Sequence, residues 1–541
     1  MLLNRGGVPP LPPPFRTRWA AVIAVAGGLL GVAAFPRFGV WPLAFGSVGL
    51  LSVALDRRSI RTAAWLGYLY GLAFFIPLLS WTGIYVGPFP WLLLAAAEAV
   101  FMAAMACALT LVQRARFAPL WIGAVWVLQE AARDRLPFGG FPWGRLAFSQ
   151  DDAPTRWFVA LGGAPLLSFV VALGGGALAV ALRGRASVRP RVRATAVALA
   201  VALPCIGALL SVPLHPSANR HTTVALVQGS VPDLGLKFED RAGQVLDNHV
   251  QQTLALAAEI SAGRMPRPDL VVWPEDASDL DPFQDPTVYA KIDSTVRAIG
   301  VPVLVGAILN GPGATHRRNV GILWSPQTGP GDEYTKRHPV PFAEYIPLRG
   351  IASKVSSDVN LVTQDMVAGT GNGLLTGGPY PVGDVICFEV AYDDLVRSSV
   401  SAGAELLVVQ TNNATFGHTA ETYQQLAMSR LRAVESGRAV LQVSTTGVTA
   451  VIRPDGTVQS ESGALFTPDI IDVGVPLRSA LTLATRLGAI PEALLALLAM
   501  TAIAWTTAPI LRTRRTARRE RVPDTKGEST IDELARERIT G

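Results

Sequence analysis

The sequence predicts a membrane α-helical bundle of about eight transmembrane helices joined to one α/β domain. Half of the 541 residues are hydrophobic and only 16% are charged. This composition is typical of a membrane protein that carries a soluble part. In residues 220–475 short apolar runs alternate with polar, helix-like stretches. Such alternation indicates a layered α/β domain.

Apolar segments long enough to cross a bilayer, roughly 17–25 residues each, lie on both sides of the α/β region. We expect a seven-helix transmembrane region over 18–213 and a last transmembrane helix over 487–509. The individual segments lie near 19–36, 38–55, 63–84, 89–113, 117–131, 157–182, 194–212 and 487–509.

Arginine positions orient these segments. Residues 1–17 are Pro-rich and precede several apolar runs, which indicates a cytoplasmic N-terminal segment and not a cleaved signal peptide. Alternate loops are basic, a pattern that places both termini in the cytoplasm and residues 220–475 outside it. A basic cytoplasmic tail is expected over 510–541. The arginines that mark the cytoplasmic side include Arg57, Arg58, Arg61, Arg114, Arg116, Arg183, Arg185, Arg512 and Arg514.

Charge and cysteine usage exclude several functions. The net charge of +6 comes with arginines beside apolar runs, which do not form the basic stripe with aromatic residues that binds nucleic acid. Of three cysteines, Cys107 and Cys205 lie in apolar stretches and only Cys387 lies in the α/β region. With no CxxC pair, we expect neither a disulfide framework nor a zinc site.

Eight strands and four helices are predicted in the α/β region. Pro454-Asp455-Gly456 marks a late hairpin, so the sheet is expected to be mixed. The helices are predicted at about 240–262, 286–299, 390–402 and 419–437. The strands are predicted at Val224–Val227, Leu270–Trp273, Val303–Leu309, Val320–Trp324, Val385–Cys387, Leu406–Gln410, Val440–Ser444 and Thr449–Ile452.

Cys387 ends one of these strands, directly before the predicted helix at 390–402. A thiol on a strand-to-helix turn projects from the sheet edge, where the N-terminus of the next helix would favour a thiolate. The alternative is a small, buried, unreactive side chain, which is the common role of free cysteine.

Two other segments carry candidate catalytic groups. Glu275 follows a strand and Pro274, and strand ends are where α/β folds assemble their sites. The loop at 334–347 has three prolines, and it carries Lys336 and Glu344 among aromatic residues. A solvated glutamate and an ordinary basic surface loop are the alternatives.

The loop at 130–144 combines charged groups with Gly, Pro and aromatic residues. This composition at a membrane edge indicates a re-entrant or interfacial loop, although an ordinary belt of interfacial aromatic side chains has the same composition.

A thiol, a carboxylate and a lysine form a chemically coherent set. The carboxylate can take the proton of the thiol, and the lysine can stabilise the oxyanion of an acyl-transfer intermediate. The sequence has no GxSxG motif, no metal-binding spacing such as HExxH, and no strand-loop-helix context for a nucleotide loop at 369–373. We therefore expect no cofactor and no metal.

These residues resemble a known family. The segments WPE at 273–275, KRHPVPFAEYIPL at 336–348, CFE at 387–389 and GVTA at 447–450 are similar to the Glu-Lys-Cys signature of the nitrilase superfamily of carbon-nitrogen hydrolases. Their position between seven spans and one span, with GFPW at 140–143, resembles the bacterial apolipoprotein N-acyltransferases. The resemblance implies a nitrilase-like αββα sandwich, extracytoplasmic, at the inner membrane of a bacterium.

The resemblance also implies the role of each site residue. Cys387 would be the nucleophile, Glu275 the general base and Lys336 the oxyanion stabiliser, with Glu344 and Glu389 as supporting acids. The acyl chain of a membrane phospholipid would pass to Cys387 as a thioester. It would then pass to the α-amine of the diacylglyceryl cysteine of an apolipoprotein. No cofactor or nucleic acid takes part, and a monomer is expected.

Two positions depart from the family pattern, and two other functions are alternatives. Phe238 replaces a tryptophan, and Thr415 replaces the tryptophan of Asn-Asp-Ala-Trp-Phe-Gly, which concerns the lipid-gating loops and donor preference.

A membrane-tethered amidase or nitrilase would use the same triad with water as acceptor. A transporter or lipid-binding module would need more charged residues within the spans than Glu98, Glu130 and Glu492.

Overall fold

The computed structural model describes residues 13–183, 188–214, 220–231 and 243–519. Phe238, Arg185, residues 1–12 of the N-terminal segment and residues 520–541 of the tail lie outside the described residues.

All eight predicted apolar segments coincide with helices. The first seven are α1 (Thr17–Ala34), α2 (Pro42–Ala54), α3 (Ile60–Leu78), α4 (Pro88–Val112), α5 (Ala118–Arg133), α6 (Val159–Leu182) and α7 (Pro190–Leu214). The eighth segment forms the helix Ile490–Arg519, which runs nine residues beyond the predicted start of the tail at 510.

Five described helical stretches are long and apolar enough to cross a membrane: α1, α4, α7, Pro154–Leu182, which includes α6, and Ile490–Ala508. Helix α2 is apolar but shorter. Helix α5 has only 16 residues and carries Gln129, Glu130 and Arg133 in its last turns, all of them buried. Glu130 accepts from the backbone N–H of Leu146 and Arg133 donates to the carbonyls of Phe141 and Trp143, so two of these groups bind the following loop and distinguish α5 from a purely apolar span.

Small residues allow close packing within the bundle. A Cβ atom at Gly67 would lie 2.4 Å from the Cβ of Ala106, and one at Gly71 would lie 2.7 Å from the Cα of Ala99. Helices α3 and α4 therefore approach through their backbones, as small residues permit in membrane helix pairs.

The α/β region folds into two mixed sheets. One has the strand order β13-β1-β2-β3-β4-β5 with β6 beside β4, and the other has the order β12-β11-β10-β9-β8-β7. Their strands are β1 (Arg220–Gln228), β2 (Leu270–Val272), β3 (Val303–Asn310), β4 (His316–Ser325), β5 (Gly329–Thr335), β6 (Asp365–Met366), β7 (Leu374–Leu375), β8 (Val382–Ile386), β9 (Leu406–Thr411), β10 (Val440–Ser444), β11 (Ala450–Ile452), β12 (Val458–Glu461) and β13 (Asp469–Leu477).

The two sheets pack face to face between helical layers, which confirms the predicted αββα sandwich. Leu226 and Leu304 of the first sheet share a buried core with Leu406 and Leu441 of the second. The outer face of the first sheet is covered by helices α8 and α9, and the helices of this region are α8 (Gln244–Ser261), α9 (Pro286–Ile299), α10 (Arg349–Val355), α11 (Asp393–Ser401), α12 (Glu421–Ser436) and α13 (Leu483–Leu487).

The outer helical layer of the second sheet also faces the membrane bundle. Leu431 of α12 and Val409 of β9 belong to the same apolar cluster as Phe75 of α3 and Leu167 of α6. The α/β domain is therefore joined to the bundle through a shared core and not by a linker alone.

The structure corrects two predicted boundaries: the end of the strand at 385–387 and the start of the helix at 390–402. The predicted strand ending at Cys387 ends at Ile386, and residues Cys387–Ala391 form a 3₁₀ turn before α11 begins at Asp393. The strands β5, β6, β7 and β12 were not predicted, because they are short or mix polar residues with few apolar ones, and the apolar nine-residue strand β13 was missed. The hairpin at Pro454-Asp455-Gly456 joins β11 and β12 in antiparallel pairing, as predicted.

Buried ion pairs connect the bundle to the α/β domain. An oxygen of Asp393, at the start of α11, lies 3.0 Å from Nη1 of Arg145 and 2.8 Å from Nη1 of Arg432. Arg145 comes from the loop after α5, and Arg432 from α12. Burial raises the pKa of the Asp393 carboxyl, but the two guanidinium groups outweigh burial and hold this pKa well below its ordinary value.

We expect Asp393→Ala to destabilise the protein by about 3–5 kcal/mol, because it leaves two buried guanidinium groups without their shared counter-ion. Thermal unfolding of the detergent-solubilised protein measures this loss. The matched control is Asp394→Ala, which removes a half-exposed carboxylate 3.9 Å from Arg337. Equal unfolding midpoints for the two variants would contradict a stabilising role for the Asp393 cluster.

Candidate active site

Cys387 is held by a strained turn at the end of β8. Its φ angle of +54° lies in the left-handed region, which side chains with a Cβ atom rarely adopt. Two side chains donate to its sulfur: the Thr411 hydroxyl at 3.4 Å and the Gln425 amide at 3.8 Å. Thr411 ends the neighbouring strand β9 and Gln425 lies on α12. The turn therefore fixes the thiol between one strand end and one helix.

Glu275 and Lys336 form a buried ion pair beside this thiol. Glu275 follows β2, and Lys336 follows β5 and is 1% exposed. The Lys336 ammonium donates to Oε1 of Glu275 at 3.0 Å and to Oε1 of Glu344 at 2.7 Å. The structure thus brings together Glu275, Lys336, Glu344 and Cys387, which lie far apart in the sequence. Both Glu275 and Lys336 are buried, so the alternatives of a solvated glutamate and an ordinary basic surface loop do not apply to them.

Two further groups, which sequence reasoning missed, fix the Glu275 carboxylate. The Asn319 side chain donates to Oε1 at 2.7 Å, and the backbone N–H of Asn412 donates to Oε2 at 2.8 Å. Asn319 directly precedes the predicted strand Val320–Trp324, where no sequence signal distinguishes it. A carboxylate held at both oxygens keeps one orientation, which a general base requires.

Lys336 stays protonated despite complete burial. Burial lowers the pKa of the ammonium, but the carboxylates of Glu275 and Glu344 outweigh burial and hold this pKa well above its ordinary value. Glu344 is itself held by the backbone N–H of Val340 at 2.6 Å. The site therefore contains a fixed positive charge of the kind that stabilises an oxyanion.

Glu389 joins the turn at Cys387 to the loop that begins at Lys336. It is fully buried, and it accepts hydrogen bonds from the backbone N–H groups of Ile386 at 2.9 Å and of Arg337 at 2.6 Å. The Tyr334 hydroxyl donates to both of its oxygens at 3.0 Å. These contacts join the residue before Cys387 to the residue after Lys336, which makes Glu389 a positioning residue.

The surroundings of Cys387 oppose the thiolate that the N-terminus of a following helix would favour. Burial raises the pKa of the Cys387 thiol well above its ordinary value, and the Glu275 carboxylate raises it further while Lys336 opposes both. The turn that follows is a five-residue 3₁₀ helix, and α11 begins only at Asp393. Cys387 is therefore a neutral thiol at neutral pH and needs a base to become a nucleophile.

The loop at 139–144 belongs to this site and not to an exposed aromatic belt. Trp143, 2% exposed, stacks on Phe388 with ring centroids 5.8 Å apart, and Phe141 stacks on the same ring at 5.6 Å. The Trp143 indole N–H donates to Gln424 of α12 at 2.6 Å. A loop of the membrane half therefore packs directly against the residue next to Cys387.

The segment with the Thr415 departure also meets the membrane half. Phe416 packs edge-to-face against Trp81, which lies between α3 and α4, with ring centroids 5.0 Å apart. A Cβ atom at Gly417 would lie 3.2 Å from Ile84 and from Tyr85. The two residues after Thr415 thus form a contact between the α/β domain and the α3–α4 connection.

The raised pKa of Cys387 leads to a test of its protonation state. The thiolate fraction, and with it the alkylation rate, should rise about tenfold per pH unit from pH 7 to pH 9 and show no plateau. Iodoacetamide labelling followed by peptide mass spectrometry measures this rate separately for Cys387, Cys107 and Cys205. Glutathione in the same sample serves as an ordinary thiol. A plateau for Cys387 below pH 8 would contradict a neutral resting thiol.

Comparison with known proteins places the chain in a family. The family model described as "Apolipoprotein N-acyltransferase N-terminal domain" matches residues 27–177, and "Carbon-nitrogen hydrolase" matches residues 223–482. A mutant amidase of the nitrilase superfamily from Nesterenkonia AN1 aligns over 48% of this chain and 93% of its own, at 19% identity and a TM-score of 0.36.

Two relatives that match most of the chain are both named apolipoprotein N-acyltransferase. The apolipoprotein N-acyltransferase of Mycolicibacterium smegmatis is 39% identical over 492 residues, which are 87% of this chain and 82% of that protein. The apolipoprotein N-acyltransferase of Pseudomonas putida is 31% identical over 464 residues, which are 81% of this chain and 88% of that protein. The resemblance in the sequence motifs is confirmed: this chain belongs to the apolipoprotein N-acyltransferase family.

Proposed function

We propose that this protein is an acyltransferase that acylates the N-terminal α-amine of the diacylglyceryl cysteine of apolipoproteins, the last step of lipoprotein maturation. The acyl donor is a membrane phospholipid, and the acyl chain passes through a thioester on Cys387. One observation carries the proposal: the Cys387 turn, which lies beside the buried Glu275–Lys336 pair, is packed against a loop of the membrane half.

The first half-reaction begins with a proton transfer. Glu275 takes the proton of Cys387, and the sulfur attacks the carbonyl carbon of a phospholipid ester. The oxyanion that forms is stabilised by the Lys336 ammonium. When it collapses, the C–O bond breaks and Glu275 returns the proton to the leaving glyceryl oxygen. A lysophospholipid departs and Cys387 carries the acyl chain as a thioester.

The second half-reaction uses the same groups. The free amine of the apolipoprotein attacks the thioester carbonyl, and Glu275 accepts a proton from the nitrogen. Lys336 again stabilises the oxyanion until the C–S bond breaks and the sulfur takes its proton back. An amide has formed and the free enzyme is restored, so no cofactor is consumed.

The architecture supports an acyltransferase over the alternative of a membrane-tethered amidase. Donor and acceptor are both held in a membrane, so a site joined to the bundle meets them without extraction into water. The aromatic side chains of Phe141, Trp143 and Phe388 cover one side of the nucleophile turn with apolar surface. A hydrolase of small soluble amides needs neither feature. The relatives' match over both halves of the chain adds support.

We extend the proposal to location and assembly. A transmembrane region over 18–213 and a last span over 487–509 hold the protein in the cytoplasmic membrane of a bacterium. The catalytic domain over 220–475 is extracytoplasmic. The basic residues of the cytoplasmic loops support this orientation. The protein works as a monomer, since all proposed catalytic groups come from one chain.

The thioester is tested with purified protein and a phospholipid radiolabelled in its acyl chain. Wild type should acquire a label that hydroxylamine releases, and Cys387→Ala should acquire none. Glu275→Gln should form the adduct at least a hundredfold more slowly, because general base catalysis contributes about 10²–10⁴ in rate. Cys107→Ser is the matched control and should be labelled like wild type. A labelled Cys387→Ala variant, or an unlabelled wild type, would sink the mechanism.

The orientation is tested by fusing alkaline phosphatase after residue 475. The fusion should be active, because this enzyme matures only outside the reducing cytoplasm. A fusion after Arg116, in a loop that we place in the cytoplasm, is the control and should be inactive. The reverse pattern would overturn the orientation derived from the arginines.

A further inference from the structure

A polar cavity lies where the membrane bundle, α11 and the start of the last helix, α14 (Ile490–Arg519), meet. Its volume is about 390 Å³, within the range of roughly 300–1,000 Å³ that small-molecule sites occupy. The charged side chains in its wall are Asp134, Arg135, Arg145, Asp393, Asp394, Arg397, Glu435 and Glu492. Glu275, Lys336 and Cys387 do not line it, so it is separate from the candidate active site.

Two groups of the wall are important here: the Arg397 guanidinium and one oxygen of the buried Asp134 carboxylate. Within the part of the chain that the structure describes, the half-buried Arg397 makes no hydrogen bond or ion pair. Oδ1 of the buried Asp134 has no hydrogen-bond partner there either, although Oδ2 lies 3.3 Å from Arg145. An uncompensated buried carboxylate oxygen is costly, and the half-buried Arg397 offers unused N–H donors in the same cavity. Together these two groups indicate a ligand with both an anionic and a cationic part.

An apolar trough continues from this cavity between α5 and α14. The trough, about 320 Å³, shares Arg135, Ala489 and Glu492 with the polar cavity. Its other lining residues are apolar: Leu128, Ala131, Ala132 and Ala493. Arg135 and Glu492, paired at 2.6 Å, mark the boundary between the polar and the apolar part. Cavity and trough together have the polarity profile of an amphiphile.

We propose that this junction is a second lipid site, which binds a zwitterionic phospholipid such as phosphatidylethanolamine. The phosphate binds the Arg397 guanidinium, whose fork of N–H donors matches phosphate oxygens. The ammonium binds the Asp134 carboxylate, and an acyl chain follows the trough along α14. This site goes beyond the proposed function, because it requires no acyl transfer and lies outside the catalytic groups.

Photo-crosslinking locates the lipid. Full-length protein in the Cys387→Ala background, which cannot consume the donor, is incubated with phosphatidylethanolamine that carries a diazirine in its acyl chain. After irradiation, peptide mass spectrometry should find saturable labelling on α5 and α14, around Leu128 and Ala493. Adding Arg397→Gln should reduce this labelling about tenfold, because the charge-assisted contact to phosphate is lost. Labelling near residue 387 should not change, which separates this site from the proposed active site.

Three controls make the result decisive. Arg297→Gln removes an exposed arginine of α9, remote from the cavity, and should label like the background protein. Ala493→Trp fills the trough and should abolish labelling on α14. Glycerophosphoethanolamine should compete for the site, whereas inorganic phosphate at the same concentration should not. Labelling that is insensitive to Arg397→Gln, or equal competition by inorganic phosphate, would overturn the proposal.

Discussion

The buried ammonium of Lys336 is the constraint on which the active site depends. One buried positive charge is costly unless carboxylates compensate for it, and Glu275 and Glu344 do so at 3.0 and 2.7 Å. The contact between Lys336 and Glu275 both compensates the buried charge and holds the Glu275 carboxylate in one orientation. Asn319 and the Asn412 backbone add to this by donating to Oε1 and Oε2 of the carboxylate, respectively.

A second constraint joins this site to the membrane half. Phe388, directly after Cys387, is stacked by Phe141 and Trp143, while Asp393, at the start of α11, neutralises Arg145. The turn that carries the nucleophile is therefore held on one side by the sheet and on the other by a loop of the bundle. Sequence composition left open whether this loop was an interfacial aromatic belt, because belts and buried loops use the same residues.

Much of the fold followed from apolar periodicity. All eight apolar segments became helices, and the eight predicted strands all lie in or next to observed strands, since each has enough apolar residues to reveal its buried face. Strands such as β5 (Gly329–Thr335) and β12 (Val458–Glu461) escaped because polar side chains dominate them. Their pairing depends on the neighbouring strand, which is not a property of the local sequence.

The sequence by itself indicated which residues to propose for the chemistry: Glu275, Lys336 and Cys387 each follow a strand, within motifs that resemble one family. Only the tertiary structure decided their state. It made the Cys387 thiol neutral, kept Lys336 charged and supplied Asn319, Thr411 and Gln425 as partners. Burial and electrostatics arise from segments that are distant in the chain, so no local pattern encodes them.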